Sequence, residues 1–248
     1  MSGHSKWHNI RLRKGKQDAE RGKVFTKLSR EIIAAAREGG GNPDGNVRLR
    51  TAIQKARSQS MPMDRIQGAI DRATGNVEGA IFEEATFEGY GPGGVAVMVR
   101  TLTDNRNRTV AEIRNTFSKN GGNLGETGCV GFVFENKGFL SIPKGSRSED
   151  EVFEAAIEAG AEDLTVEDET YDVTTAPTDF TAVRDALEEQ GFEFLTAEPT
   201  MLPRNTVAIE GKEAEQMIRL MEALEDLDDV QQVYANFDIP DEVLAAAS

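Results

Sequence analysis

The sequence contains a single cysteine, Cys129, which excludes a framework of disulfide bonds and fits a reducing compartment such as the cytosol. It has no apolar run near the ~18 residues that a membrane-spanning helix needs, so we expect no association with membranes. The first ten residues, MSGHSKWHNI, lack the apolar segment of a secretory signal. These absences predict a cytoplasmic protein.

The residues that usually carry catalysis or metal binding are also scarce. The two histidines, His4 and His8, are four positions apart but have no third ligand nearby, and Cys129 has no histidine near it in the sequence. The glycine-rich stretch 89–94 lacks the Lys-Ser/Thr of a phosphate-binding loop and leads into a strand, so a hairpin turn is the better interpretation. We therefore expect no catalytic residue, no metal, no cofactor and no small-molecule substrate. The chain is not expected to be an enzyme.

Charge is distributed very unevenly along the chain. The formal net charge is −15, but residues 1–80 hold 16 basic and 8 acidic residues, a balance of +8. Residues 81–140 hold 6 and 7, and residues 141–248 hold 6 and 28, a balance of −22. This asymmetry predicts a basic end that binds a polyanion and an acidic end that does not. The alternative is a solvated basic helical bundle without a ligand.

The basic end is predicted to be helical. Apolar residues recur at helical spacing over 19–38, 47–58 and 62–73, and glycines follow the first and third segments. Lys23, Lys27 and Arg30 lie opposite the apolar stripe of the first helix, and Arg48 and Lys55 lie to one side of the stripe in the second, with Arg50 and Arg57 to the other. Three short helices of this kind predict a small basic domain.

A basic arm precedes the first helix, with no acidic residue before Asp18. Basic side chains with an interleaved aromatic, Trp7, suit a phosphate backbone and a stacked base, although Trp7 could instead anchor the arm to the bundle. Two arginines in a loop at 104–108 add a second candidate contact, the alternative being that they are solvated beside a helix capped by Asp104 or Asn107. The candidate nucleic-acid-binding residues are Lys6, Trp7, Arg11, Arg13, Lys14, Lys16, Lys23, Lys27, Arg30, Arg48, Lys55, Arg106 and Arg108.

The remainder of the chain is predicted to be α+β. Strands are expected at 82–89, 95–102, 130–135, 139–142, 164–167, 171–175, 192–197, 206–210 and 230–237, and helices at 109–120, 148–159, 180–190 and 212–224. The run from 139 to 197 has the βαββαβ order of a ferredoxin-like unit, which we expect to be inserted into a second such unit. Turns at 136–138 and 199–203 would mark the insertion. The predicted domains are a helical domain over 1–80, an outer α/β domain over 81–136 plus 204–240, and an acidic inserted domain over 137–203.

Two further segments have open interpretations. The loop 121–128 has four glycines in eight residues and is either a flexible connection or a loop whose bare backbone contacts RNA or a ribosomal protein. Glu225, Asp226, Asp228 and Asp229 lack the spacing of a calcium loop and are expected to form a solvated acidic surface.

Four stretches carry a resemblance to a known family. They are GHSKWHNI with RKGKQDAERGKVFTKLSREI in 3–32, GYGPGGVAVMVRTLTDNRNRT in 89–109, GGNLGETGCVGFVF in 121–134, and MLPRNTVAI with ALEDLDDVQQVYANFD in 201–238. In this order they resemble the YebC/PmpR family of probable transcriptional regulators, which includes the mitochondrial translational activator of cytochrome c oxidase. The resemblance implies a helical N-terminal domain followed by two α/β domains, one interrupting the other.

The resemblance also implies nucleic-acid binding without catalysis. Members of this family are treated as DNA-binding regulators of transcription or as ribosome-associated factors that assist translation, and both functions stay open here. A third hypothesis is a protein-interaction scaffold whose basic end binds an acidic partner. We expect a cytoplasmic monomer that binds nucleic acid and no membrane.

Overall fold

The structure, a computed structural model, describes residues 18–75, 81–145 and 147–240, with side chains from residue 22 onward. The described chain forms two compact units. The first comprises residues 18–75, 81–130 and 211–233, and the second comprises 131–145, 147–210 and 234–240. No helix in the described ranges has the length and apolar character needed to cross a membrane.

The first unit begins with the three predicted helices. They are α1 (Asp18–Gly39), α2 (Val47–Ser58) and α3 (Met63–Thr74), and their bounds agree with the prediction within one or two residues. The apolar stripes of all three helices meet in one core, which confirms the interpretation of their periodicity. The fully buried centre of this core includes Ile32, Leu49 and Ile66.

Asn46 fixes the start of α2 against the end of α1. Its side-chain oxygen accepts the Leu49 N–H as a helix cap, and its Nδ2 donates to the carbonyls of Ala35 and Gly40, both at 2.8 Å. A Cβ at Gly39 would lie 2.7 Å from the Asn46 side chain, so glycine at this position leaves room for the contact. One buried side-chain amide therefore connects the end of α1 to the start of α2.

A four-stranded sheet completes the first unit. Its strands are ordered β3-β1-β2-β9, and the predicted hairpin at 89–94 joins β1 to β2 in antiparallel register. The elements are β1 (Glu83–Tyr90), β2 (Ala96–Thr103), α4 (Arg106–Lys119), β3 (Asn123–Leu124), α7 (Gly211–Glu225) and β9 (Val230–Ala235).

Two strands predicted for this sheet are wrong. Residues 130–133 form a turn and a 3-10 helix, and the edge position belongs to the shorter β3. The segment 206–210 contributes only β8 (Val207–Ala208), which pairs in parallel with β10 (Phe237–Asp238) in the second unit. The place between β2 and β3 is filled by β1, which precedes both in the chain. The sheet thus has the strand order of a ferredoxin-like unit. The strand between β2 and β3, however, comes from the chain before β2 and not from the chain after β3.

The second unit contains the predicted βαββαβ run. Its sheet has the order β5-β6-β4-β7, every neighbouring pair is antiparallel, and the helices α5 and α6 pack on its apolar face. This order confirms the ferredoxin-like unit. The elements are β4 (Phe134–Pro143), α5 (Glu149–Ala159), β5 (Asp163–Val166), β6 (Thr170–Thr175), α6 (Phe180–Glu189) and β7 (Thr196–Pro203).

The turn predicted at 136–138 is wrong, because β4 runs through it without interruption. Gly138 pairs with Thr175 on one side and Pro199 on the other. A Cβ at Gly138 would clash with Thr175 Oγ1 and would lie 2.7 Å from the Phe180 ring. The glycine therefore serves close packing within a strand rather than a turn.

The turn predicted at 199–203 is also wrong, since these residues belong to β7. Pro199 and Pro203 lie in a strand at the edge of its sheet, where a missing backbone N–H does not interrupt a second ladder. The division into three domains with the bounds given above stays a prediction.

Candidate nucleic-acid interface

The basic face of α1 contacts an acidic turn. This turn, residues 225–229, connects the end of α7 to β9. Lys23 Nζ lies 3.1 Å from Asp226 Oδ1, and Lys27 Nζ donates to the Glu225 carbonyl. Arg30 donates to the Asp228 carbonyl and to the Asp229 carboxylate. Three predicted phosphate contacts are thus held by oxygen atoms of the same unit.

Asp229 is the centre of this contact and is almost fully buried. Its Oδ1 accepts from Arg30 at 2.6 Å, and its Oδ2 accepts from Thr109 at 2.6 Å and from Arg108 at 2.8 Å. Burial alone would raise the pKa of the Asp229 carboxyl, but the hydrogen bonds and positive charge around it outweigh burial and lower the pKa below its ordinary value. The expectation of a solvated acidic surface is wrong for this residue.

In the loop before α4, one of the two candidate arginines is also paired with acidic residues of the same unit. Arg108 bridges Asp104 at 2.8 Å and Asp229, and these contacts raise the pKa of its guanidinium further above its already high value. Arg106 is exposed and makes no hydrogen bond or ion pair with the described residues. The helix cap is Asn105, whose side chain accepts the Arg108 N–H, instead of the predicted Asp104 or Asn107.

The two candidate residues on α2 also have acidic neighbours. Arg48 forms ion pairs with Glu38 and Glu84, and Lys55 Nζ lies 3.5 Å from Glu31 Oε2. On the other side of the helix, the Arg50 side chain donates, among the described residues, only to the backbone carbonyls of Pro43 and Asp44. The side chain of Arg57 is exposed and contacts no hydrogen-bond or ion-pair partner in the described part of the chain.

The remaining candidate residues, which form the arm, lie outside the described residues. They are Lys6, Trp7, Arg11, Arg13, Lys14 and Lys16.

The glycine-rich loop 121–128 packs against β1. Its residues Asn123 and Leu124 form β3, and the Glu88 carboxylate accepts the backbone N–H groups of Gly128 and Val130 at 2.9 and 2.8 Å. A Cβ at Gly122 would lie 2.7 Å from the Tyr90 carbonyl oxygen. Gly122 thus permits close packing. Because strand pairing and hydrogen bonds hold the loop to β1, the interpretation as a flexible connection is wrong. Contact of this loop with RNA or a ribosomal protein stays a prediction.

No metal-binding group is found in the described ranges, where no three His, Cys, Asp or Glu side chains are arranged to hold an ion. His4 and His8 lie outside these ranges. Burial raises the pKa of the Cys129 thiol, and the nearby Glu88 carboxylate adds to the shift, so this cysteine is not activated as a nucleophile.

Comparison with known proteins adds to this geometry. Residues 5–76 match the model of the TACO1/YebC protein N-terminal domain, and residues 82–237 match the model of the TACO1/YebC second and third domain. The chain belongs to the TACO1/YebC family. The resemblance carried by the four sequence stretches is therefore confirmed.

Curated relatives of the TACO1/YebC family match over their whole length. A protein of Dictyoglomus turgidum is 55% identical over 249 residues, covering 100% of both chains, and one of Geotalea uraniireducens is 56% identical over 242 residues, covering 98% of both. Each is named "Probable transcriptional regulatory protein". The crystal structure of a conserved hypothetical protein of Aquifex aeolicus superposes with a TM-score of 0.80 at 50% identity, covering 92% of this chain and 95% of that one.

Proposed function

We propose that this chain is a nucleic-acid-binding regulatory protein that acts on transcription by binding DNA, without a catalytic step, a cofactor or a small-molecule substrate. The observation that carries the proposal is the division of charge, +8 over residues 1–80 against −22 over residues 141–248. The names of the full-length relatives support a role in transcription. The proposal places the protein in the cytoplasm as a monomer.

The N-terminal arm is proposed to supply most of the phosphate contacts. Five basic residues precede the first acidic one, whereas Lys23, Lys27 and Arg30 on α1 already contact oxygen atoms of the same unit. Each contact with a phosphate makes the decrease of log affinity with log salt concentration steeper by about one unit of slope. The arm is therefore expected to determine the salt dependence of binding.

The experiment measures binding of the full chain to duplex DNA, duplex RNA and single-stranded RNA over a range of salt concentrations. A variant with Arg11, Arg13, Lys14 and Lys16 changed to alanine should bind all sequences more weakly and lose roughly four units of salt slope. The matched control changes four cations from the acidic half of the chain, and it should bind like the unmodified protein. These control positions are Arg184, Arg204, Lys212 and Arg219.

Three results would contradict the proposal. Unchanged affinity in the arm variant would remove the arm as a contact. Tighter binding to RNA, with the protein sedimenting with ribosomes at low salt and not at high salt, would favour the translation factor. Failure to bind any nucleic acid at low salt would leave the scaffold hypothesis.

A further inference from the structure

Helix α2 differs from the other described helices of its unit because it contains no acidic residue. Its sequence is VRLRTAIQKARS, and its buried side consists of Leu49, Ala52, Ile53 and Ala56. The opposite side is exposed along the whole helix. That surface is therefore open to a ligand over three turns.

Neutral side chains occupy the middle of the exposed side. Val47, Thr51, Gln54 and Ser58 fall within about 60° of each other at ~100° per residue. Val47 is an apolar residue that is 70% exposed, and Gln54 has no hydrogen-bond partner among the described residues. The stripe thus offers a branched methyl surface and a carboxamide without a partner in the described chain. The hydroxyl groups of Thr51 and Ser58 donate to the carbonyls of Val47 and Lys55, which leaves their oxygen atoms able to accept.

Basic residues line both edges of this stripe, in two rows about 160° apart around the helix axis. Arg48 and Lys55 form the row that is paired with carboxylates. Arg50 and Arg57 form the other row, and neither contacts a carboxylate in the described chain. One edge therefore keeps its positive charge.

We propose that α2 enters the major groove of duplex DNA, where Gln54 and Thr51 contact base edges and Arg50 and Arg57 contact phosphates. This inference rests on the proposed function and assigns the part of the protein that reads sequence. A helix with its side chains is about 10–12 Å wide, and the major groove of B-form DNA is about 12 Å wide. The deep, narrow major groove of A-form RNA does not admit a helix.

The chemistry of the stripe matches what the groove displays. A glutamine side chain can pair in two places with adenine N6 and N7, threonine contacts several bases, and methyl groups pack on the thymine methyl group. The Asn46 contacts hold α2 rigidly against α1, as a base-reading helix requires.

The experiment selects preferred sequences for the full-length protein from duplex DNA with a randomised centre and then measures variants on the selected duplex. Gln54→Ala should bind that duplex roughly tenfold more weakly and lose preference at one base pair. Arg57→Ala should weaken binding to every duplex alike and lower the salt slope by about one. Both positions are exposed on a helix, so circular dichroism and thermal unfolding should match the unmodified protein.

Gln67→Ala is the matched control, because Gln67 is an exposed glutamine on α3 that already bonds Asp71 at 2.8 Å. It should keep both affinity and base preference. If Gln54→Ala behaves like Gln67→Ala, or if the protein binds DNA with no base preference or prefers RNA duplexes, the assignment of α2 is wrong. A protein that binds no nucleic acid at all would overturn the proposed function as well, so the two failures are distinguishable.

Discussion

Replacing Asp229 with asparagine is expected to lower the free energy of unfolding by about 3 kcal/mol at pH 7. The substitution keeps the size and shape of the side chain but removes its charge. Both carboxylate oxygens accept hydrogen bonds, Oδ1 from Arg30 and Oδ2 from Thr109 and Arg108. An amide presents an NH2 group in place of one oxygen, so in either orientation it turns a donor toward other donors.

The magnitude follows from the exposure of the partners. Removing one member of a buried ion pair typically costs about 3–5 kcal/mol, because the other charge stays buried without compensation. The Arg108 side chain is 43% exposed and can turn toward water, which places the expected cost at the low end of that range. The hydroxyl of Thr109 is buried and keeps only its contacts with Thr103 and the Asn105 carbonyl.

The loss of stability caused by Asp229→Asn should become smaller as the pH falls. The pKa of Asp229 is lower in the folded protein than in the unfolded chain, where it is about 3.9. The carboxylate therefore stabilises the fold fully above about pH 4, and this contribution is lost as the pH falls through the lower folded value. The difference in stability between the two proteins should be largest at neutral pH and should shrink on acidification.

Denaturant unfolding of both proteins over a series of pH values measures this difference. Asp226→Asn is the control, because it removes an equal charge from an exposed pair with Lys23 and should cost no more than about 1 kcal/mol. An Asp229→Asn protein within about 1 kcal/mol of the unmodified protein at pH 7 would refute the role given to this carboxylate. So would a deficit that stays constant below pH 4.

Two further substitutions probe the second unit. Burial raises the pKa of Asp172 to about 6, so the unmodified protein should lose about 3 kcal/mol of stability as the pH rises from about 4 through 6, and Asp172→Asn should lack this loss. Denaturant unfolding at about pH 4.5 and about pH 7.5, which spans about 2 kcal/mol of this loss, compares the two proteins, and equal pH dependence would contradict the shift. Gly138→Ala should lower the free energy of unfolding by about 1–3 kcal/mol, because the added Cβ would clash with Thr175 and Phe180. An unchanged melting temperature would show that β4 can move away from α6.

Local patterns predicted the elements whose partners are close in the chain. The apolar stripes of α1, α2 and α3 predicted these helices correctly because each stripe repeats over several turns. Gly39 and Gly75 mark the ends of α1 and α3. The βαββαβ order of the second unit followed in the same way from apolar residues that recur at strand spacing in some segments and at helix spacing in others. In these segments, local preference and tertiary packing agree.

The segments 136–138 and 199–203 were predicted as turns but form strands, and these strands depend on contacts between residues far apart in the sequence. Gly138 suggests a turn from its sequence neighbours, but its partner Thr175 is 37 positions away, and the need for a missing Cβ is visible only when both strands are placed. The prolines of β7 are acceptable only because this strand lies at a sheet edge. Strand identity here was decided by position in the sheet.

The same limit applies to the candidate interface. Arg30 and Asp229 are separated by 199 positions, so the sequence identified a basic helix face and an acidic cluster without showing that they meet. Arg50 and Arg57 were recognised as flanking the apolar stripe but not as candidate contacts, although the absence of any acidic residue in VRLRTAIQKARS was a usable signal. Charge counts describe a segment, whereas binding depends on the charge left after internal pairing.

The acidic turn beside α1 has a consequence for how binding releases ions. A phosphate that displaced the carboxylates of Asp226 and Asp229 from Lys23 and Arg30 would free counterions from the nucleic acid, but the displaced carboxylates would then gather counterions of their own. The exchange yields little net release, and net release is what makes such binding favourable at low salt. Lys23 and Arg30 should thus contribute little to the salt dependence of binding, which reports only the positive charges that the protein has not already neutralised.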